Sequence, residues 1–365
     1  MVRALAAGIV VAATLAFGGH HIVIDAQSRS RPLPEFEVDK AWPKLPEKWK
    51  LGDASSVAVD ENDNVWVLHR PRTLKAPDAA RAAPPVIVFS AAGEFVKAWG
   101  SEDAGLQWPQ REHGIHVDAK GFVWVTGNNC PANGSGLKPV NDDQILKLTP
   151  DGKVALRIGE SNGSKGNADT RNVHRAADVW VHPATNEVFV ADGYGNHRVV
   201  VFDAETGGFK RMWGAFGNKP VDNDRCEVVT PKTFPPGRGP AQFSIVHALR
   251  VAKDGMVYVA DRENRRVQAF TPNGTFMRQL VRTDTPFARN LALSHDPVQD
   301  FLYVGNGTDI AIVDRRAMEV VGTINPPGMI GGGHHIAVDS KGNLYIAGGA
   351  AGLQKLTFKG MAAPK

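Results

Sequence analysis

Three histidines recur at one position of a repeated sequence pattern. His113, His247 and His334 each lie eleven residues before the aromatic residue of an apolar segment. The aromatic residues are Trp124, Tyr258 and Tyr345. A single histidine is more often a channel side chain held by a hydrogen bond, but three in matched register favour a shared site. Three neutral imidazole nitrogens suit Zn²⁺, and an open fourth position is typical of a catalytic zinc site.

Two arginines and a tyrosine share a second position of the same pattern. Arg70 and Arg262 each lie four residues after the aromatic residue of their segment, and Tyr194 lies five residues after Phe189. A guanidinium binds a carboxylate through two parallel hydrogen bonds, and a tyrosine beside a metal and an arginine can act as a base. Taken singly, Arg70 could be a solvated charge and Tyr194 a packing residue, so their grouping with the histidines is a hypothesis.

The pattern that carries these residues is a four-stranded unit repeated six times. An apolar strand ends in a polar residue, a turn with Gly or Asn follows, and an aromatic-containing strand comes next. The aromatic-containing strands are expected at residues 64–67, 122–125, 187–190, 256–259, 301–304 and 343–346. Short strands joined by such turns predict an all-β fold, a six-bladed β-propeller.

Closure of the ring requires a strand from each end of the chain. The sixth repeat offers only three strands, and residues 38–43 read like the outer strand at 95–100. The N-terminal segment 35–42 is therefore expected to close the last blade. Innermost strands line the central channel, and alternate blades of a six-fold ring are related by about 120°. Because His113, His247 and His334 fall in blades two, four and six, they are predicted to converge on the axis.

The N-terminus and the charge indicate an exported protein. Arg3 precedes an apolar run at residues 4–17, which is typical of a signal peptide over residues 1–26, followed by a single propeller domain over 27–365. An uncleaved anchor is the alternative, and no later segment predicts contact with a membrane. The net charge is +4 and the basic residues are scattered, which argues against a nucleic-acid partner. We expect a monomer, periplasmic or secreted.

The chain has two cysteines, Cys130 and Cys226, in separate long loops. Export permits a disulfide between them. The sequence does not decide between this pairing and two free thiols. The two cysteines are not a metal site by themselves, because zinc needs three or four ligands.

Several segments resemble the peptidyl-α-hydroxyglycine α-amidating lyase family, within the wider NHL-repeat propellers. The segments are 69–70, 113–115, 191–196, 243–247, 259–264 and 334–336, and the resemblance extends over residues 50–360. It implies zinc on the three histidines, Tyr194 as the catalytic base, and Arg70 and Arg262 lining the substrate site. The family cleaves the C–N bond of a peptidyl α-hydroxyglycine, giving a peptide amide and glyoxylate.

One position departs from the family at the third histidine. The family has an acidic residue directly after its third zinc histidine, where it helps to bind a structural calcium ion, and this chain has His335 there. Calcium binding is left open, since backbone carbonyls could still contribute ligands.

Two other functions stay open beside the lyase. A zinc-dependent hydrolase of esters or lactones would use the same three ligands with a carboxylate base, for which Asp178 is the candidate in channel register. A non-catalytic propeller would bind a protein or glycan and would need no metal. For both the lyase and the hydrolase hypotheses we expect a small-molecule or peptide substrate.

Overall fold

The computed structural model describes residues 31–100, 106–129, 141–222 and 239–362. These residues form six four-stranded antiparallel sheets. The predicted signal peptide at 1–26 and both cysteines lie outside the described residues, so those expectations stay predictions. Within the described ranges, no helix is both long enough and apolar enough to cross a membrane.

The first three sheets follow one another along the chain, and each runs from an inner strand to an outer one. Blade 1 contains β2 (Asp53–Val59), β3 (Val65–Arg70), β4 (Val86–Phe89) and β5 (Phe95–Trp99). Blade 2 contains β6 (Glu112–Val117), β7 (Val123–Gly127), β8 (Gln144–Leu148) and β9 (Val154–Gly159). Blade 3 contains β10 (Asp178–His182), β11 (Glu187–Asp192), β12 (Arg198–Asp203) and β13 (Phe209–Trp213).

The remaining sheets complete the ring, and the last combines both ends of the chain. Blade 4 contains β14 (Val246–Val251), β15 (Val257–Asp261), β16 (Arg266–Phe270) and β17 (Phe276–Val281). Blade 5 contains β18 (Asn290–Leu293), β19 (Phe301–Gly305), β20 (Ile310–Asp314) and β21 (Glu319–Ile324). Blade 6 contains β22 (His335–Val338), β23 (Leu344–Ala347), β24 (Leu353–Ala362) and β1 (Leu33–Asp39). Short 3₁₀ turns occur at Pro71–Thr73, Asp78–Arg81, Asn141–Asp143 and Ala215–Gly217.

Closure of the last blade confirms the prediction from the sequence. Strand β1 pairs antiparallel with β24, from Leu33 opposite Ala362 to Asp39 opposite Lys355. The strand begins two residues earlier than the predicted segment 35–42 and ends three residues earlier. Trp42 lies beyond the strand, and its ring packs 5.1 Å from that of Tyr345. Its resemblance to an outer-strand tryptophan reflected packing between blades rather than strand pairing.

An aspartate after the inner strand explains the recurring link between Asp and the aromatic residue. Its carboxylate accepts backbone N–H groups of the following turn and a hydrogen bond from the aromatic side chain six residues later. The donor–acceptor pairs are Trp66 Nε1 with Asp60 Oδ2 (2.9 Å), Trp124 Nε1 with Asp118 Oδ2 (2.8 Å) and Tyr345 Oη with Asp339 Oδ2 (3.0 Å). This contact holds the second strand in register with the first.

The apolar core lies between neighbouring blades. Trp66 of blade 1 and Val125 of blade 2, for example, share one buried cluster with Trp108. Burying a side chain of this kind stabilises the fold by roughly 1.5–3 kcal/mol.

Candidate metal centre

The three register histidines meet at one end of the channel. His113 lies on β6, His247 on β14, and His334 directly before β22. Each histidine offers one ring nitrogen, and the three nitrogens lie within 4.8 Å of one another. The centroids of the three rings are 4.6–4.9 Å apart. The structure therefore brings together the residues whose spacing predicted convergence, in an arrangement that could hold a metal ion.

β-bulges orient the side chains of His113 and His247. The pairing of β6 with β7 shifts between Glu112 and Ile115, and that of β14 with β15 shifts between Val246 and Ala248. A β-bulge redirects the side chain it carries, and here each bulge contains a histidine. Gly114 belongs to the first bulge, where an added Cβ would lie 2.6 Å from a backbone oxygen of blade 3.

A backbone carbonyl of the next blade orients each histidine ring. A carbonyl can only accept, so Nδ1 carries the proton and Nε2 has the lone pair that a metal would take. The pairs are His113 with Ala177 (2.7 Å), His334 with Ser55 (2.6 Å) and His247 with Arg289. The ring of blades thus selects the same tautomer three times.

The electrostatics keep the imidazoles neutral, as metal ligation requires. Burial lowers the pKa of His113, His247 and His334 well below the ordinary value, and neighbouring positive groups lower it further. The Nε2 atom of His247 is buried without a hydrogen-bond partner among the described residues. An orphaned buried nitrogen at a convergent site is what a metal ligand leaves when no ion is present, so these residues fit a metal.

Tyr194 follows β11 and lies against the centre. Its hydroxyl is 3.1 Å from His113 Nε2 and accepts a hydrogen bond of 2.9 Å from Arg262 Nη1. Gly193 permits this position, because an added Cβ would lie 2.2 Å from the carbonyl oxygen of Val246, next to His247. A phenol, a guanidinium and a ligand imidazole therefore form one hydrogen-bonded chain.

Arg262 is held in place by a second contact. Its Nε donates to Glu263 Oε1 at 2.7 Å, and its guanidinium lies 5.4 Å from the centre of the Tyr194 ring. Burial opposes the charge, but Tyr194 and Glu263 more than offset this and raise the pKa of Arg262. The arginine therefore remains charged beside the phenol.

Arg70 ends β3 and is 7% exposed. Its Nε donates to the carbonyl oxygen of Glu112 at 2.8 Å, directly before His113. Burial, followed by the charge of Arg111, lowers the pKa of Arg70. The Arg70 charge in turn contributes to the lowered pKa of His113 and His334, so the guanidinium lies beside the centre.

Two buried aspartates, which sequence reasoning did not identify, brace the loops that carry Tyr194 and Arg262. Each is the last residue of the second strand of its blade, and it bonds an asparagine of the following loop and the arginine that begins the third strand. The contacts are Asp192 Oδ2 with Asn196 (2.7 Å) and Arg198 (2.8 Å), and Asp261 Oδ2 with Asn264 (2.9 Å) and Arg266 (2.6 Å). The shared order Asp, Asn, Arg after β11 and β15 was the available signal.

Asp178 does not join the histidines. Its Oδ2 accepts from Arg250 Nη1 at 2.6 Å and from the backbone N–H of Leu249 at 3.3 Å, further along the channel. A carboxylate engaged in this ion pair is poorly suited to the base role that a hydrolase would assign to it.

The residue after the third histidine lies in the channel directly behind the centre. His335 is fully buried, with its ring centroid 5.2–5.7 Å from those of the three histidines, and both of its ring nitrogens lack a partner within the described ranges. Burial, followed by the charges of Arg250 and Arg70, lowers the pKa of His335 to about 3. Ca²⁺ takes oxygen ligands, and here it would meet an imidazole in a cationic setting.

Fold and site together define a class: a six-bladed β-propeller with a three-histidine centre in its channel. No protein-family model matches the chain. Homologues include peptidyl-glycine alpha-amidating monooxygenase of Mus musculus, 28% identical over 75% of this chain and 26% of that protein. A "Probable peptidyl-alpha-hydroxyglycine alpha-amidating lyase" of Caenorhabditis elegans is 25% identical over 61% of this chain and 56% of that protein.

Further similarities support the fold. NHL repeat-containing protein 3 of Mus musculus is 29% identical over 65% of this chain and 57% of that protein. The streptogramin B lyase structure aligns with a TM-score of 0.53 at 12% identity, covering 89% of this chain and 98% of the other. The chain spans about a quarter of the monooxygenases it matches, 26% for the mouse protein. The amidating homologues support an enzyme role, at 25–28% identity.

Proposed function

We propose that the protein is a zinc-dependent lyase that cleaves the C–N bond of a peptidyl α-hydroxyglycine to an amide and glyoxylate. The observation that supports this most directly is the position of the Tyr194 hydroxyl, 3.1 Å from His113 Nε2 and 2.9 Å from Arg262 Nη1. A tyrosine oxygen at this position could take a proton from the hydroxyl of a substrate bound beside the three histidines, and this supports the proposal. The homologous amidating enzymes point to the same chemistry.

The substrate carries a hydroxyl group and a carboxylate on the same carbon. Zinc at the three histidines would supply Lewis acidity that makes this hydroxyl easier to deprotonate. Tyr194, whose oxygen accepts a hydrogen bond from Arg262, acts as the general base that takes the hydroxyl proton. The C=O bond of glyoxylate forms as the C–N electron pair leaves to the amide nitrogen, which takes up a proton.

The two arginines orient the substrate. The guanidinium of Arg70 or Arg262, or both, holds the carboxylate with parallel hydrogen bonds and aligns the C–N bond. Arg70 is preorganised by its bond to the Glu112 carbonyl, and Arg262 by Glu263. Little reorganisation is then needed when the substrate binds.

The hydrolase alternative lacks a comparable observation, since its candidate base Asp178 is paired with Arg250. We further propose that the protein acts as a monomer after export, in the periplasm or secreted, on a peptide or small-molecule substrate.

A direct test starts from the purified full chain with its metal content measured. Glyoxylate release from benzoyl α-hydroxyglycine is then assayed for the wild type, His247→Ala, Tyr194→Phe and the control His182→Ala, whose histidine lies at the far end of β10. We expect zinc in the wild type, activity in the wild type and control, and loss of activity in the other two. A metal-free wild type contradicts the proposal, and a zinc-loaded protein active only on esters favours the hydrolase.

A further inference from the structure

The inner strands also end at a second mouth, opposite the histidines. A cavity of about 320 Å³ lies there, lined by the far ends of the inner strands of all six blades. On β6 it begins at Ile115 and His116, beyond His113, and on β14 it reaches Arg250, beyond His247. This cavity is therefore separate from the metal centre, and none of the proposed catalytic residues lines it.

Arg250 presents unused donors at this cavity. Its Nη1 is committed to Asp178 Oδ2 at 2.6 Å and to the carbonyl oxygen of Leu249 at 2.5 Å. Its Nε and Nη2 have no acceptor anywhere in the described parts of the chain, although the residue is only 6% exposed. A guanidinium anchored at one nitrogen offers its remaining N–H groups in a fixed direction.

Trp180 forms a flat wall beside that guanidinium. The Arg250 guanidinium carbon lies 5.1 Å from the centre of the Trp180 ring. The ring of His116, 8% exposed, packs on Trp180 at 4.7 Å with an interplanar angle of 34°. Burial, followed by the charge of Arg250, lowers the pKa of His116 to about 3, so this imidazole is neutral. Aliphatic side chains such as Val179 and Ile336 also line the cavity, together with polar residues that include Glu61 and Lys253.

The free polar groups favour an acceptor ligand. Asp178 is already bonded to Arg250, and Asp118 is committed to the turn amides of Lys120 and Phe122 and to Trp124. The charges of Glu61 and Lys253, which also line the cavity, are exposed and opposite in sign, so the buried donors of Arg250 are the uncommitted polar groups beside the apolar surface. Pockets of roughly 300–1,000 Å³ with apolar walls and a few polar groups are typical of small-molecule sites.

We propose that this second mouth binds a small carboxylic acid with a flat apolar body. The carboxylate accepts from Nε and Nη2 of Arg250, and the body lies against Trp180 and the aliphatic wall. Fork-shaped donation of this kind is the strong geometry for a carboxylate. The site is independent of the proposed lyase reaction.

Benzoate is the probe, with benzamide as the neutral control of the same shape. Isothermal titration of the zinc-loaded full chain should give a benzoate Kd on the order of 1 mM, as expected for a ligand of this size. Benzamide should bind about tenfold more weakly, because it lacks the charge-assisted hydrogen bonds. Absence of benzoate binding, or equal binding of both probes, overturns the proposal.

Variants locate the binding. The double variant Asp178→Asn/Arg250→Gln removes the guanidinium without leaving an unpaired buried charge, and Trp180→Leu removes the wall while keeping the ion pair. Both should lose at least about tenfold in benzoate affinity, whereas His247→Ala at the metal centre should leave it unchanged. Binding that disappears in His247→Ala and persists in Trp180→Leu would assign benzoate to the metal instead. Thermal melting of each variant verifies folding. If the double variant does not fold, the benzoate affinity of Trp180→Leu decides whether the site is correctly placed.

Discussion

The Tyr194 hydroxyl lies 3.1 Å from His113 Nε2, the nitrogen that His113 would use to bind a metal. Its other polar contact is Arg262 Nη1 at 2.9 Å. We propose that a tyrosine in this position moves a proton, while the three histidines hold the metal. This relationship separates the role of Tyr194 from that of the histidines, so variants of the two should behave differently.

Tyr194→Phe should lose glyoxylate release while keeping its zinc. Removing a general base costs about 10²–10⁴-fold in rate, and the remaining ring preserves the packing. The measurement is kcat on benzoyl α-hydroxyglycine together with the zinc content of the same preparation. Activity within a few fold of the wild type would assign Tyr194 a packing role.

His247→Ala should lose both zinc and activity, and its melting temperature should no longer respond to added zinc. With free metal at about 100 times its Kd, binding stabilises a wild-type site by about 2.7 kcal/mol. Calorimetry with and without zinc checks this, and His182→Ala is the matched control, expected to melt like the wild type. An unchanged zinc response in His247→Ala would show that the three histidines do not form the metal site.

Gly193→Ala should reduce activity and stability together. The added methyl would lie 2.2 Å from the Val246 carbonyl oxygen, so the segment carrying Tyr194 must move away from the centre. Overpacking of this kind costs about 1–3 kcal/mol. Gly307→Ala is the control, because nothing lies within 4 Å of its added Cβ. Equal activity and melting temperature in the two variants would contradict the close approach.

Asp261→Asn should destabilise blade 4 and impair the Arg262 loop. Asp261 is fully buried and pairs with Arg266, which is 1% exposed, at 2.6 Å. Leaving one partner of a buried pair uncompensated costs about 3–5 kcal/mol. Urea unfolding and the KM for benzoyl α-hydroxyglycine are the measurements. The exposed pair of Arg282 and Asp284 supplies a control, since Asp284→Asn should melt like the wild type.

Calcium should leave the stability unchanged. His335 and the charge of Arg250 occupy the part of the channel where the family resemblance implies a calcium ion. Melting curves in excess EGTA and in millimolar Ca²⁺, both with zinc present, should coincide. A clear rise in melting temperature with Ca²⁺ would mean that backbone oxygens form a site despite His335.

Much of the fold was predictable because propeller blades repeat their local chemistry. The aspartate that binds an aromatic side chain six residues later, as Asp118 binds Trp124, makes the first hairpins of blades 1, 2 and 6 visible in the sequence. The limits of the closing strand were less predictable. Trp42 matches an outer-strand tryptophan, but its ring is buried against Tyr345 beyond the end of β1.

The site was predictable as a set of residues and not as a set of contacts. Register alone placed His113, His247 and His334 together, because equivalent positions of alternate blades face one axis. The register did not reveal that Asp192 and Asp261 hold the flanking loops by hydrogen bonds to Arg198 and Arg266. These contacts form only when the loop between the two strands has folded.

The sequence by itself determined the six-bladed repeat, the closure by an N-terminal strand, and the register of the three histidines, since each follows from local periodicity. Only the tertiary structure decided which nitrogen each histidine presents, because Ala177, Arg289 and Ser55 accept from Nδ1 across blade boundaries. It also decided that Asp178 pairs with Arg250 rather than serving the metal centre. Contacts between blades join residues far apart in the chain, and no local pattern encodes them.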